Sequence, residues 1–284
     1  MSDYSLTQDF NKAVELCLRK VGDTVIAPYF QALKTEDISY KSSPKDPVSI
    51  ADKKAEAELK ARLLEILPQA LFIGEEEYTD TPGILDHLGQ TESPVWVVDP
   101  IDGTQNFVDG KEGFGIMVAL IEGGRITGAW FYEVCSKRVT SWATGHPVLE
   151  NGLPVAPFKE RSAPSCYKGT IGWKLFDYIS SDEIDPGDDI SVIPAREPSI
   201  ITYPWLLKGD IDFLVFRITM PWDHLPGLAM AWAHGGVSSN WDGQPFDPAT
   251  TDRGLIIARD EACLRHVQDK LVKPVNDKIK VMLK

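Results

Sequence analysis

One stretch constrains this chain more than any other: Trp96-Val97-Val98-Asp99-Pro100-Ile101-Asp102-Gly103-Thr104-Gln105-Asn106-Phe107-Val108-Asp109-Gly110. Val95 to Val98 is an apolar, β-branched and aromatic run bounded by Pro94 and Pro100, which predicts a short buried strand. Two carboxylates, Asp99 and Asp102, follow directly at its end, with a Gly-Thr pair after them. Pro100 fixes the backbone between the acids and donates no hydrogen bond. Gly103 lets the chain approach a ligand closely, and its amide and that of Thr104 can point at an anion. A lone Asp-Pro or Asp-Gly is an ordinary polar turn. This string has to be explained as a whole.

Composition sets bounds on what such a turn serves. The chain has 284 residues, 43% of them hydrophobic, which is enough for one large domain or two small ones with a substantial core. Its net charge of −13 argues against nucleic acid and anionic membranes as partners. Phosphate substrates remain compatible, provided metal ions reverse the local sign. Met1 to Ser5 lacks a basic segment followed by an apolar one, so no signal peptide is expected, and no run approaches membrane-spanning length. Cys17, Cys135, Cys166 and Cys263 are scattered without metal spacing, so free thiols in a reducing, cytoplasmic compartment are expected.

Along the chain, Ser5-Leu6-Thr7-Gln8 resembles a capping box, and Phe10, Val14, Cys17, Leu18, Val21 and Val25 recur at helical spacing, so a first helix is expected to end near Pro28. Thr35 to Pro47 reads as a loop or hairpin. A second helix is expected from Ser49-Ile50-Ala51-Asp52 to just before Pro68, with Ala55, Leu59, Leu63, Ile66 and Leu67 turned inward. Leu71-Phe72-Ile73 reads as a strand leading into Gly74-Glu75-Glu76-Glu77, and residues 78 to 94 as a surface excursion. Three strand-like runs, Gly115–Ile121, Arg125–Val134 and Arg138–Ala143, predict a meander turned at Gly123-Gly124. Beyond Asn151-Gly152, strands are expected at Ile190–Ile193, Ile211–Phe216 and Leu255–Ala258. Helices are expected at Ser199–Leu207, Asp223–His234 and Glu261–Leu271, with Asp182 to Asp189 as an acidic loop. Mixed strands and helices imply a layered α/β arrangement. The expected division is an N-terminal half, residues 1–148, carrying most of the acids above, and a C-terminal half, residues 149–284, carrying Asp223.

Four separated places set acids next to element ends: Asp52, Glu75, the Asp99/Asp102 pair and Asp223. Taken singly, Asp52 and Asp223 read as helix-capping carboxylates and Gly74-Glu75-Glu76 as a solvated acidic turn. Together they carry a resemblance. Asp99 to Phe107 and Gly110 match, without a departure, the signature Asp-Pro-Ile-Asp-Gly-Thr-x-Asn-Phe-x-x-Gly of the inositol monophosphatase family, the lithium-sensitive, magnesium-dependent phosphatases. Asp46-Pro47-Val48-Ser49-Ile50-Ala51-Asp52, Gly74-Glu75-Glu76, and Trp222-Asp223 with Gly227 and Gly235-Gly236 are similar to that family's other motifs and stand in its order.

The resemblance implies a sugar-phosphatase fold, an α/β (α+β) layered sandwich with alternating α-β-α-β-α layers. It implies two or three Mg²⁺ ions per site, with Glu75, Asp99, the Ile101 carbonyl, Asp102 and Asp223 as ligands. Asp52, Thr104 and Glu75 are the implied catalytic residues, with Thr104 and Asp52 holding and activating a water. Ile101, Asp102, Gly103, Thr104 and Asp223 are the implied substrate contacts. A small phosphate ester is the implied substrate and a homodimer a mild expectation. Lys41 matches a lysine on a loop near the site in animal relatives, and is otherwise a surface lysine. Trp96, Phe107 and Trp222 read as core residues that hold the acids in place. His224 reads as a helix-surface histidine or a neighbour of the site, since imidazole is not preferred by Mg²⁺.

Departures lie in the C-terminal half. Glu197-Pro198-Ser199-Ile200-Ile201 stands where inositol-specific relatives carry a Gly-Ser-Ala-Ala-like segment. Phe216, followed by Arg217, stands where they carry a Glu seven residues before the last metal ligand. Three readings follow. The first is a Mg²⁺-dependent phosphatase for inositol monophosphate or a related sugar or polyol phosphate. The second is a bisphosphatase for fructose 1,6-bisphosphate or a 3′(2′),5′-bisphosphate nucleotide, which a basic pocket around Arg196 or Arg217 would favour. The third is a non-catalytic, metal-stabilised binding protein, which loss of Asp52, Thr104 or a metal carboxylate would favour; none is lost.

Overall fold

The first helix, α1 (Gln8–Val21), is capped by Thr7, whose hydroxyl oxygen accepts the Phe10 amide at 3.2 Å. The capping residue is thus Thr7; Ser5 lies outside the described residues. These are, in the computed structural model of the protein, 7–41, 47–86, 88, 92–158, 164–172, 187–193, 197–247 and 250–276. After α1 the backbone loosens into a π-helical turn, Gly22–Ile26, and a 3₁₀ turn, Ala27–Tyr29, which contains Pro28. The expected hairpin is present as β1 (Ile38–Tyr40) paired antiparallel with β2 (Pro47–Ser49).

The chain forms two compact units. The first draws on Met1–Pro154, Pro198–Ile201 and Pro221–Met230, the second on Val155–Glu197, Thr202–Met220 and Ala231–Lys284. Asp223 therefore packs in the first unit, whereas chain order puts it in the C-terminal half. A side-chain contact accounts for this: the Trp222 ring lies 5.1 Å from that of Tyr78. The Ile200 amide, bonded to Asp102, ties in the Pro198–Ile201 segment.

In the first unit, α2 (Ile50–Ile66) starts at Ser49 with a full capping box, closed by Asp52. Its buried residues Ala51, Asp52, Ala55, Glu56, Leu59 and Leu63 recur at three- and four-residue intervals, so two acids lie inside an otherwise apolar stripe. That stripe and α1 pack on a seven-stranded sheet of order β3-β4-β5-β6-β7-β8-β9. β3 (Leu71–Gly74) runs parallel to β4 (Val95–Asp102). β5 (Gly115–Glu122), β6 (Arg125–Glu133) and β7 (Arg138–Ala143) then form the antiparallel meander, extended by the short β8 (Leu149–Glu150) and β9 (Leu153–Pro154). Between β3 and β4 stand a short helix, α3 (Glu75–Asp80), and a 3₁₀ turn, Pro82–Asp86; the excursion expected from residue 78 thus opens with a helix that begins at Glu75. Trp96 and Phe107 are fully buried, with Trp96 stacked 6.1 Å from Phe10.

The second unit has a five-stranded mixed sheet, β11-β10-β12-β14-β13. It comprises β10 (Tyr167–Ile171), β11 (Ile190–Ile193), β12 (Phe213–Phe216), β13 (Val237–Ser239) and β14 (Leu255–Ala258). The strand expected from Ile211 begins at Phe213, and β10 and β13 were not anticipated. Against this sheet pack Cys263, Leu264, Val267, Leu271 and Val272, which lie on a helix, Glu261–Val267, and the π-helical turn that follows it. That helix is α7; before it in the chain come α4 (Thr104–Val108), α5 (Ser199–Lys208) and α6 (Pro221–Ala233). Most of the acidic loop expected at 182–189, with Arg196, falls outside the described residues. Among the described residues no helix is long and apolar enough to cross a membrane.

Candidate active site

The buried strand β4 does not stop at Val98 but carries the acids with it, and all eight of its residues are buried. Its pairing with β5 runs in register to Asp99 opposite Met117, then shifts before Asp102 meets Gly115. The irregularity holds Pro100 and Ile101, and a bulge of this kind re-aims side chains at a strand end. The Ile101 amide donates to Asp99 Oδ1 at 2.9 Å, which pins the first carboxylate against its own turn. Gly103 then adopts φ +88°, and a β-carbon there would meet the Gly113 carbonyl oxygen at 2.7 Å. Both facts require glycine. The reversal starts α4, which puts Thr104 beside the strand end.

Three other segments bring groups to this corner. From α2, Asp52 enters fully buried; its Oδ2 accepts the Ser49 amide at 2.8 Å and the Ser49 hydroxyl at 2.6 Å. Its other oxygen, Oδ1, lies 3.1 Å from the Thr104 hydroxyl, which also reaches the Ile101 carbonyl at 2.9 Å. The start of α5 supplies the Ile200 amide, which donates to Asp102 Oδ2 at 2.5 Å. This amide belongs to a first helical turn whose N–H groups have no partner within the helix. The first turn of α6 supplies Asp223. Among the described residues, Asp99, Asp102 and Asp223 bring one carboxylate oxygen each to within 4.8 Å of one another. Glu75, the first residue of α3, bonds through Oε1 to Lys41 Nζ at 2.7 Å, and the same ammonium meets Glu76 Oε1 at 2.6 Å.

The electrostatics of this corner are those of a cation site. Burial, then Glu75, Asp102, Asp223 and Asp52, push the Asp99 carboxyl well above the usual carboxylate range. Asp223 is raised well above that range by burial, Asp102 and Glu75. Burial lifts Asp102 to about 7 against the hydrogen bonds from Ile200 and Gly103 that oppose it. Burial also lifts Asp52 to about 7, against the bonds from Ser49. Carboxylates so disposed cannot all ionise without positive charge among them. Hard oxygen donors with no nitrogen or sulfur suit Mg²⁺ or Ca²⁺ better than a softer metal. The residues fit such an ion.

Several expectations meet here. Asp52, Ile101 and Thr104 are joined by hydrogen bonds, Asp99, Asp102 and Asp223 cluster, and Glu75 faces Asp99 electrostatically. Lys41 is engaged with Glu75 and Glu76 and is not a surface lysine. The Trp222 ring packs on Tyr78, tying the helix of Asp223 to the helix of Glu75. In the second unit, Phe216 stacks 6.1 Å from Tyr203, and the exposed Arg217 guanidinium lies 6.0 Å from the centre of the Trp241 ring. Sequence reasoning missed Glu56, whose carboxylate accepts the Glu76 and Glu77 amides. The signal was available: an acid four residues after Asp52, in line with Ala55 and Leu59.

Comparison with known proteins points to one family. The model of the inositol monophosphatase family matches residues 6–279. An inositol-1-monophosphatase of Bacillus subtilis is 25% identical over 232 residues, covering 81% of this chain and 84% of that relative. A fructose-1,6-bisphosphatase/inositol-1-monophosphatase of Thermotoga maritima is 23% identical over 264 residues, 92% of this chain and 93% of the relative. Among solved structures, an IMPase/NADP phosphatase complexed with Mg²⁺ and phosphate superposes with a TM-score of 0.77 at 19% identity, covering 94% of this chain and 96% of that one. At that identity the likeness shows a shared α/β layered fold.

Proposed function

The chain belongs to the inositol monophosphatase family, and from that premise we propose that it is a Mg²⁺-dependent phosphoric monoester hydrolase acting on inositol monophosphate or a related sugar or polyol phosphate. The observation that carries this reading is the convergence of Asp99, Asp102 and Asp223 oxygens within 4.8 Å, beside a Thr104 hydroxyl already bonded to buried Asp52. In this reading Glu75, Asp99, the Ile101 carbonyl, Asp102 and Asp223 hold two or three Mg²⁺ ions. When bound, the ions supply charge neutralisation at the phosphoryl oxygens and a lowered pKa for the attacking water.

The chain's own residues account for the proton. Asp52 Oδ2 is occupied by two donors from Ser49, so Oδ1 is the oxygen left to take a proton. Thr104 has one hydroxyl hydrogen and two oxygens within reach, Asp52 Oδ1 and the Ile101 carbonyl. With that hydrogen given to Asp52, the Thr104 lone pairs are free to accept one from a water and hold it in line with the phosphorus. A carboxylate lifted to about 7 accepts a proton efficiently near neutral pH. Glu75 completes the catalytic set. Ile101, Asp102, Gly103, Thr104 and Asp223 make up the phosphate-binding face.

A second reading, hydrolysis of fructose 1,6-bisphosphate or a 3′(2′),5′-bisphosphate nucleotide, is favoured by the dual name of the Thermotoga maritima relative. The proposal includes a reducing, cytoplasmic setting, which four free thiols suit, and a homodimer. The net charge of −13 fits a small-molecule substrate rather than a nucleic-acid polymer. Phosphate release with Mg²⁺ from inositol 1-phosphate, glycerol phosphate, fructose 1,6-bisphosphate and 3′-phosphoadenosine 5′-phosphate decides between the readings. A preference for the first favours the monophosphate reading, a preference for either bisphosphate the second, and silence across the panel contradicts both.

A further inference from the structure

α2 carries a second buried acid for which the reaction above has no use. Glu56 lies one helical turn beyond Asp52 and on the same face. It is 8% exposed, and burial lifts it to about 7. Its two carboxylate oxygens do different things. Oε2 accepts the Glu76 amide at 2.7 Å, and Oε1 accepts the Glu77 amide at 2.8 Å. One turn further, Lys60 donates to both oxygens of Glu77, at 2.9 and 2.8 Å. Residues 52, 56 and 60 thus form three rungs along one face of α2. The upper two grip the first turn of α3, whose opening residue is Glu75.

The adjoining glycine is shaped to this grip. A β-carbon on Gly74 would lie 2.2 Å from Glu56 Oε2, 2.3 Å from its carboxyl carbon and 2.8 Å from Oε1. Gly74 has φ −108° and ψ 157°, an extended conformation open to any residue. Glycine is therefore needed there for the space that the Glu56 carboxylate fills, not for the backbone angle.

We propose that Glu56 is a positioning residue for Glu75: its two-pronged hold on the Glu76 and Glu77 amides fixes the strand-to-helix turn that aims the Glu75 carboxylate at the cation site. This rests on the reading of Glu75 as a Mg²⁺ ligand. Two features make it specific. A carboxylate can accept from two neighbouring amides at once, whereas the amide of Gln turns a donor toward one of them. Gly74→Ala leaves Glu56 in the sequence but evicts its carboxylate, so two unrelated substitutions remove the same contact.

The test is titration calorimetry of Mg²⁺ into metal-stripped protein for wild type, Glu56→Gln, Gly74→Ala and the double variant, with thermal melts and the Mg²⁺ dependence of turnover alongside. Each single variant is expected to weaken Mg²⁺ binding by roughly tenfold to a hundredfold, the range for groups that orient a metal ligand. The Mg²⁺ concentration for half-maximal turnover should rise in step, while kcat at saturating Mg²⁺ changes far less. The double variant should bind no more weakly than the poorer single one, because both lose one contact. Wild-type Mg²⁺ affinity in either folded single variant, with or without a lower Tm, overturns the proposal and leaves Glu56 as a helix cap only; additive losses overturn it too. Should Glu56→Gln fail to fold, Gly74→Ala decides alone. Failure of the wild type itself to bind Mg²⁺ would instead indict the reading of Glu75.

Discussion

Asp52 shows how one side chain serves two masters. It closes the capping box of α2 with Ser49, and its remaining oxygen faces Thr104. The capping role was legible from Ser49-x-x-Asp52, because local spacing alone dictates it. Its burial was not, because that comes from β4 and α4 brought alongside by the fold. The consequence can be measured on metal-free protein. Burial lifts Asp52 and Asp102 to about 7, and Asp99 and Asp223 well above the usual range, whereas an unfolded aspartate titrates near 3.9. From about pH 4 up to about pH 7 the folded state therefore binds more protons than the unfolded one. Stability is then greatest at the acid end of that window and is lost as pH rises through it. In EDTA, Tm is expected to fall between about pH 5 and pH 8, and Mg²⁺ to raise Tm far more at the upper pH. A metal-free Tm that climbs across that range would contradict this charge assignment.

At the scale of elements, the strongly patterned pieces were readable and the short ones were not. α2 announces itself by its cap, by Ala55, Leu59 and Leu63 on one stripe, and by Pro68 beyond its end. The meander β5 to β7 is legible because its β-branched and aromatic runs are broken by the Gly123-Gly124 turn and by the short Cys135-Ser136-Lys137 stretch. β4 outlasts its apolar run by four residues, since hydrophobic patterning ends where the buried acids begin. α3 has six residues and no apolar period, and the Glu56 carboxylate that caps its start comes from 20 residues away in the chain. β10, Tyr167-Lys168-Gly169-Thr170-Ile171, lacks alternation and owes its existence to pairing with β11 and β12. Leu59 gives the helix its own test. It is fully buried in the core between α2, α1 and the sheet. Leu59→Ala is expected to cost about 2–5 kcal/mol of unfolding free energy, read from urea denaturation. A loss below about 0.5 kcal/mol, the level of an ordinary surface substitution, would show that α2 is not anchored through this face.

For the whole molecule, the first unit holds the complete set of acids, although they come from chain positions as far apart as 52 and 223. Family membership was legible from the order of four motifs. The assignment of Asp223 to the first unit was not, because it depends on the long-range Trp222–Tyr78 contact. The net charge of −13 gives the molecule an overall field that opposes anionic substrates, which bound cations would reverse locally. Turnover in the proposed reading therefore depends on cations at Asp99. The most direct measurement is the rate of phosphate release from inositol 1-phosphate against Mg²⁺ concentration, for wild type and Asp99→Asn side by side, each with a metal-free melt. We predict saturable Mg²⁺-dependent release by the wild type. Asp99→Asn should release at least about a hundredfold less, a loss of some 2.7 kcal/mol or more in transition-state stabilisation, while its metal-free Tm at pH 8 is no lower, since the change removes a buried charge but little volume. Release independent of Mg²⁺, or near-normal release by Asp99→Asn, would contradict the account.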